Sequence, residues 1–222
     1  AITSFRNLKG VGALDLDGTP MDVAATEPHT RFDSWSQELQ ATGAAMDDRI
    51  NYVIGAFYYK EKAETLGPQR FFGVYGPGAA AVFQSDYGSH TEAWALYAQA
   101  DIGITDALKL TLGGRYTEET KDVRRFLAVG TTGAPLATAF NLPYGGVPDA
   151  KFSNFSPAVT LGYEASDNVN LYARWARGFK SGGFNGETND FGAPTAACPT
   201  GAFELCVPYR PEKVDSYELG TK

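Results

Sequence analysis

The strongest constraint in this chain is the unbroken alternation of apolar and polar side chains from Leu108 to Glu119. Leu108, Leu110, Leu112, Gly114 and Tyr116 share one parity; Lys109, Thr111, Gly113, Arg115, Thr117 and Glu119 share the other. Successive Cβ atoms of a strand point to opposite faces, so the pattern describes a strand with one apolar and one charged face. The same period recurs along the chain. From Glu92 to Ile104 the apolar set is Trp94, Leu96, Ala98, Ala100, Ile102 and Ile104; from Asn154 to Glu164 it is Phe155, Pro157, Val159, Leu161 and Tyr163. From Val169 to Phe179 it is Val169, Leu171, Ala173 and Trp175. Asp33–Thr42 and Ile50–Lys60 fit less cleanly. Ala1–Leu8 and Val214–Lys222 both look like strands already under way, so the chain reads as about eight strands of something longer.

Strand and loop lengths narrow the architecture. These segments run to roughly ten residues or more, against the ~5–6 usual in soluble sheets and the ~9–11 tilted residues that cross a bilayer. Gly43–Arg49, Thr105–Ala107 and Ala165–Asn168 are short connections, whereas Lys9–Phe32, Glu61–His90, Val123–Phe152 and Lys180–Pro211 are long. Short and long alternate without exception. A soluble sandwich has no reason to place every long loop at one end, but an outer-membrane barrel does. Trp35, Tyr58, Tyr59, Trp94, Tyr116, Phe155, Tyr163, Trp175 and Phe179 fall mostly towards strand ends, where interfacial aromatics collect. Ordinary strand propensity is the competing reading of those aromatics. The expected fold is therefore all-β: an antiparallel, up-and-down transmembrane barrel wall. A self-contained eight-stranded barrel, in the membrane or soluble and lipocalin-like, is the alternative, acting as a passive pore or a ligand-binding module.

Composition closes other routes. Nineteen basic against 26 acidic residues give a net charge of −7, which speaks against nucleic acid as a partner. The longest apolar run, Tyr52–Tyr59, is far too short for a spanning helix. Two His and two Cys leave little for a metal centre, and no cofactor is expected. No nucleophile elbow is present, and Glu118 and Glu119 would point to opposite faces of their strand, so an enzyme is not expected.

Several segments resemble the β-barrel of TonB-dependent outer-membrane receptors. They are Ser36–Gln40 (SQELQ), Tyr52–Glu61 (YVIGAFYYKE), Ala95–Gln99 (ALYAQ) with Leu110–Thr117 (LTLGGRYT), Phe155–Thr160 (FSPAVT), Leu171–Asn185 (LYARWARGFKSGGFN) and Pro211–Gly220 (PEKVDSYELG). They occur in family order and cover nearly the whole chain, 1–222. The resemblance implies a barrel of about 22 strands around an N-terminal plug, seated among outer-membrane lipid. It further implies active uptake of a scarce ligand such as a ferric siderophore, energised through the TonB complex. The plug, the TonB-contacting segment and the remaining strands are not found in these residues.

Candidate sites follow. Basic–aromatic clusters occupy the long connections: Arg70-Phe71-Phe72 with Tyr75, Arg124-Arg125-Phe126, and Phe179-Lys180 with Phe184. Guanidinium beside aromatic faces suits an anionic, partly aromatic ligand such as a ferric catecholate; loop packing is the simpler reading. Cys198 and Cys206 are expected to form a disulfide in the last long loop, next to Pro199, rather than remain two free thiols. Arg115, Arg174, Glu38, Asp101 and Glu218 are expected to line the lumen as a charge network. Asp15-Leu-Asp17-Gly18 hints at a calcium loop but reads better as an acidic turn. Gly76–Ala81 formally fits G-x-G-x-x-A, yet without helical periodicity after it the stretch reads as a loop. His29 and His90 are expected in loops, and Asn154-Phe-Ser156, a sequon by letter, inside a strand.

Overall fold

A computed structural model describes residues 1–76, 78–186, 195, 198 and 200–221. Among the described residues one antiparallel sheet holds β1 (Ile2–Val11), β4 (His29–Ala45), β5 (Ile50–Phe71), β6 (Ala81–Gly103), β7 (Leu108–Thr131), β9 (Ala150–Ser166), β10 (Val169–Lys180) and β11 (Glu212–Thr221), in that order. Each pairs with its neighbour in sequence, as an up-and-down wall requires. Three short strands, β2 (Leu14–Asp15), β3 (Ala24–Thr26) and β8 (Ala137–Leu142), hang from the same end; β3 pairs with the top of β5 and β8 with the top of β7. The eight main strands coincide with the eight periodic segments. The wall is open: β1 and β11 do not pair with each other, so these residues do not close into a small barrel.

The register places the alternating sets on common faces. Leu110 lies opposite Ile102 and Leu161, Leu112 opposite Ala100 and Val159, and Tyr116 opposite Leu96 and Phe155. Leu108, Leu110, Leu112 and Tyr116 are half-exposed or exposed, none of them buried. A soluble barrel would enclose those leucines; here they form a broad apolar outer surface, as lipid demands. That surface ends in an aromatic band. Each strand contributes one ring at a similar height: Phe5 opposite Trp35, Tyr58 opposite Trp94, Tyr116 opposite Phe155, and Trp175 opposite Tyr217. Trp35 and Tyr58 lie 5.6 Å apart by ring centroids and Trp94 and Tyr116 5.5 Å, so the band is a contact network as well as a row.

The long connections are where the fold departs from the expectation. Glu61–His90 and Val123–Phe152 are not loops: β5, β6 and β7 run on for 22, 23 and 24 residues. The β5–β6 link shrinks to a tip around a short 3-10 turn, Gly73–Tyr75, entered through Phe72 in a left-handed conformation (φ 62°). His29 and His90 accordingly belong to β4 and β6. Period-two contrast fades above the aromatic band because both faces there meet water or packed protein. The backbone ladder does not need that contrast and continues without a break. At the opposite end the turns are short, and Met46, Asp47 and Asp48 make the β4–β5 turn with three consecutive positive φ values (57°, 54° and 65°).

Candidate ligand-binding wall

The charged parity of the strands faces the other side of the sheet, the lumen of a barrel. Within the apolar band's height this wall is held by aromatics as much as by ion pairs. The Arg115 guanidinium lies 5.2 Å from the Phe57 ring centroid and 5.8 Å from that of Tyr97, and the Tyr97 hydroxyl donates to Glu38. Thr111 donates to Asp101 at 2.6 Å, while Arg174 lies opposite Glu218 in the register. All five residues expected to line the lumen therefore share the lumenal parity. Arg115, however, rests on rings and donates its Nε to Thr117 at 3.2 Å, a cation–π arrangement rather than a close salt bridge.

Above the band the wall carries a packed lobe. Val123 of β7 and Ala150 and Phe152 of β9 form an apolar floor with Leu142 and Val147. On it sits the segment between β10 and β11: Phe184, Ala202 and Leu205 are 7%, 0% and 0% exposed. Beyond the packing, one link ties the lobe to the wall and two brace it internally. Gly183 and Tyr209 exchange backbone hydrogen bonds, Ser181 donates to Glu119 of β7 at 2.6 Å, and a disulfide joins Cys198 and Cys206 beside the short helix Phe203–Cys206. Pro199 lies outside the described residues.

The lobe forms one side of a cavity at the mouth. The cavity measures about 440 Å³ and is lined by Leu14 and Leu16, by Thr65 and Gln69 of β5, by Ser85 and Tyr87 of β6, and by Gly186 of the lobe. A second hollow of about 620 Å³ opens at the rim between β2–β3 and the tops of β5 and β6, with Asp15, Thr26, Gln69 and Arg70 in its walls. Gly186 is required by this contact: a Cβ there would stand 2.0 Å from the Tyr87 ring. Neutral hydrogen-bonding groups on an aromatic ground suit a compact polar ligand.

The basic–aromatic clusters do not converge on one point. Arg70 and Phe71 end β5; Arg70 pairs with Asp22 at 2.9 Å, and Phe71 stands edge-on to Phe83. Phe72 and Tyr75 are exposed at the hairpin tip, their rings 6.4 Å apart. Arg124, Arg125 and Phe126 lie within β7, not in a loop. Arg124 is on the outer face against Glu64 at 3.2 Å, whereas Arg125 is buried and its Nη1 donates to Ser85 and to the carbonyls of Asp86 and Phe126. Phe179 packs at the edge of the apolar floor, Phe184 is buried in the lobe against it, and Lys180 is exposed, 4.0 Å from Glu212. Thr65, Gln69, Ser85 and Tyr87 escaped the sequence reading because they lie where loops were expected; their shared parity on β5 and β6 was the available signal.

The remaining motifs resolve simply. Asp15 and Asp17 form a turn: Asp17 accepts hydrogen bonds from Thr19 and from the Ala24 amide, which hold its carboxyl down to about 2, the Thr19 hydroxyl contributing most. Its oxygens are taken up by the loop itself. Gly76–Ala81 is the hairpin tip, with β6 rather than a helix beginning at Ala81; Pro77 lies outside the described residues. Asn154 is buried in β9 and donates to Ser156 at 2.8 Å. Outside the wall, Tyr144 stacks on His90 at 3.8 Å; burial, then the Glu64 charge, raises its phenol above the usual value.

The sequence profile of TonB dependent receptor-like, beta-barrel proteins matches residues 4–222. The chain belongs to that family. Its place is the outer membrane, and the family is one of receptors rather than enzymes. Two solved structures share the fold. The ferric yersiniabactin uptake receptor FyuA from Yersinia pestis superposes with a TM-score of 0.72 at 17% identity, over 99% of this chain and 29% of its own. The ferric citrate transporter FecA, unliganded, gives 0.59 at 16% identity, over 99% and 28%. The chain thus spans under a third of the length of each. In the family's frame, the short turns are the periplasmic end and the mouth cavity opens outward.

Proposed function

We propose that this chain is the ligand-admitting wall of an outer-membrane receptor that takes up a scarce ligand, such as a ferric siderophore, with energy relayed through TonB. The observation that carries the reading is the mouth cavity. It is a concave, lumen-side site of about 440 Å³ at the outward end, built by two strands and closed by a lobe fixed to the wall. A passive pore needs an open lumen and gains nothing from a tethered lobe across its wall. FyuA and FecA, described as a ferric yersiniabactin uptake receptor and a ferric citrate transporter, support the ligand class. Among the clustered residues, Arg70, Phe72 and Tyr75 at the rim are positioned to meet a ligand first; Lys180 is the next accessible one.

The test uses the full-length receptor. Ferric catecholate, ferric hydroxamate, ferric citrate, haem and cobalamin are titrated onto the purified protein, and the one that binds is followed into cells. Gly186→Ala, whose Cβ drives against Tyr87, should lift the lobe edge and weaken that binding about tenfold or more, with the barrel intact. Uptake should saturate and stop when the proton gradient is collapsed or TonB removed. Uptake that is linear in concentration and indifferent to the gradient would establish a passive pore instead.

A further inference from the structure

The mouth cavity has an uncharged lining inside an acidic border. Thr65 and Gln69 of β5 and Ser85 and Tyr87 of β6 present hydroxyls and one amide, and among the described residues no charged side chain lines it. Burial, then the neighbouring Tyr209, pushes the Tyr87 phenol up to about 12, so it stays neutral. The Ser85 hydroxyl accepts a hydrogen bond from Arg125 at 3.0 Å, which leaves its own proton to donate. The segment Gly12–Pro28 brings Leu14, Leu16, Thr26 and Pro28 to the cavity; it holds Asp15, Asp17, Asp22 and Glu27 and no lysine or arginine. On the lobe side Asn185, next to Gly186, donates to Glu204. Cations on the surrounding strands are committed away from the cavity. Arg70 holds Asp22 at 2.9 Å, and buried Arg125 gives its Nη1 to Ser85 and two carbonyls. Lys62 and Arg124 face outward against Glu64, and Lys121 pairs with Glu119 at 2.9 Å.

We infer that the mouth cavity selects a ligand without negative charge, a ferric chelate of the hydroxamate kind, and that Gln69 and Ser85 recognise it. The inference rests on the uptake function proposed for the same cavity and names the ligand within it. Hydroxamates are monoanions that neutralise ferric iron, whereas dianionic catecholates leave their ferric complex strongly negative. Gln69 and Ser85 are diagonal neighbours on one face of the β5–β6 ladder. The Ser85 hydroxyl and the Gln69 amide can both donate to the carbonyl and N–O oxygens that such a neutral chelate exposes. An anionic chelate would enter beside the carboxylates of Gly12–Pro28 and meet no cation inside to offset its lost hydration. Neutral sugars offer hydroxyls to the same groups but stack on an open aromatic face; here the Tyr87 ring is packed against Gly186.

The experiment is calorimetric titration of the full-length receptor with a ferric trihydroxamate, a ferric tricatecholate, ferric citrate and a neutral glucose oligosaccharide, at low and high salt. The trihydroxamate should bind about tenfold or more tighter than either anionic chelate, with an affinity that salt does not move. Q69K places an ammonium in the cavity and should raise the affinity for the tricatecholate about tenfold, without raising that for the trihydroxamate. Q69L removes the amide and should weaken the trihydroxamate about fivefold. E27K, on the exposed rim, should speed association of the tricatecholate and leave that of the trihydroxamate unchanged. Tighter binding of an anionic chelate by the parent protein would overturn the inference. So would binding of the oligosaccharide in place of the chelates, or a preference that neither Q69K nor E27K shifts. An anionic chelate that binds and enters cells through TonB leaves the uptake function standing; a receptor that binds none of the chelates overturns both.

Discussion

Substituting one face of β7 against the other tests the orientation of the whole wall. Leu112 lies four positions from Tyr116 in the aromatic band and four from Leu108, which pairs with Tyr163 at the lower edge. It therefore sits near mid-membrane on the outer face, opposite Ala100 and Val159. Arginine on a lipid face at that depth costs about 2–4 kcal/mol, which is roughly 30- to 1,000-fold in the folding equilibrium. Thr111 is its immediate neighbour on the lumenal face. Arginine there loses the hydrogen bond to Asp101, worth about 1 kcal/mol, but gains that carboxylate as a partner. The expected result is a large loss for L112R and a change of no more than about 1 kcal/mol for T111R. Reversible urea unfolding of the full-length receptor in lipid vesicles, compared by midpoint at constant slope, measures both. If T111R costs as much as L112R, the face assignment is wrong, and with it the lumenal placement of Arg115 and Tyr97.

Two further outcomes follow from the lobe and the rim. Leu205→Ala removes a fully buried lobe side chain that packs on the apolar floor and should destabilise the lobe's docking by about 2–5 kcal/mol. Limited proteolysis should then cut between β10 and β11 much faster, while amide exchange in the β9–β10 ladder stays as slow as before; unchanged cleavage would mean the lobe is not held by that floor. Asp17 has a folded pKa of about 2, below its ordinary 3.8, so its hydrogen bonds hold the turn fully above the ordinary value and are lost as pH falls through about 2. Hydrogen exchange across the β2–β3 hairpin, corrected for intrinsic rates, should lose protection over that interval, and D17A should lack it at every pH.

The fold was legible because a bilayer imposes the sharpest contrast a strand can carry. Leu108–Tyr116 and Phe155–Tyr163 alternate cleanly since one side meets lipid and the other the lumen, and their register pairs follow. Above the aromatic band that contrast disappears, and with it the signal: Glu61–Phe71, Ala81–His90 and Val123–Thr131 read as loops and are strands. The site suffered for the same reason. Arg124 and Arg125 look like one basic cluster in sequence, but neighbouring residues of a strand point apart, so one pairs with Glu64 outside and the other is buried. Phe184 carried no mark separating a packing ring from a ligand contact. That difference lies in Val123 and Phe152, contributed by strands far away in the chain.

The excess length of the central strands also sets how far the receptor reaches. From Trp94 in the aromatic band, β6 continues to Ala81, which at ~3.3 Å per residue is roughly 40 Å of backbone, and about 30 Å of height at a barrel's usual tilt. The hairpin tip with Phe72 and Tyr75 thus stands like a mast clear of the lipid headgroups, at the level of whatever sugar coat covers the cell. On the proposed function, a ligand would meet the wall at that level, about 30 Å before it reaches the lipid. The same exposure leaves the rings of Phe72 and Tyr75 open to an antibody raised against the tip.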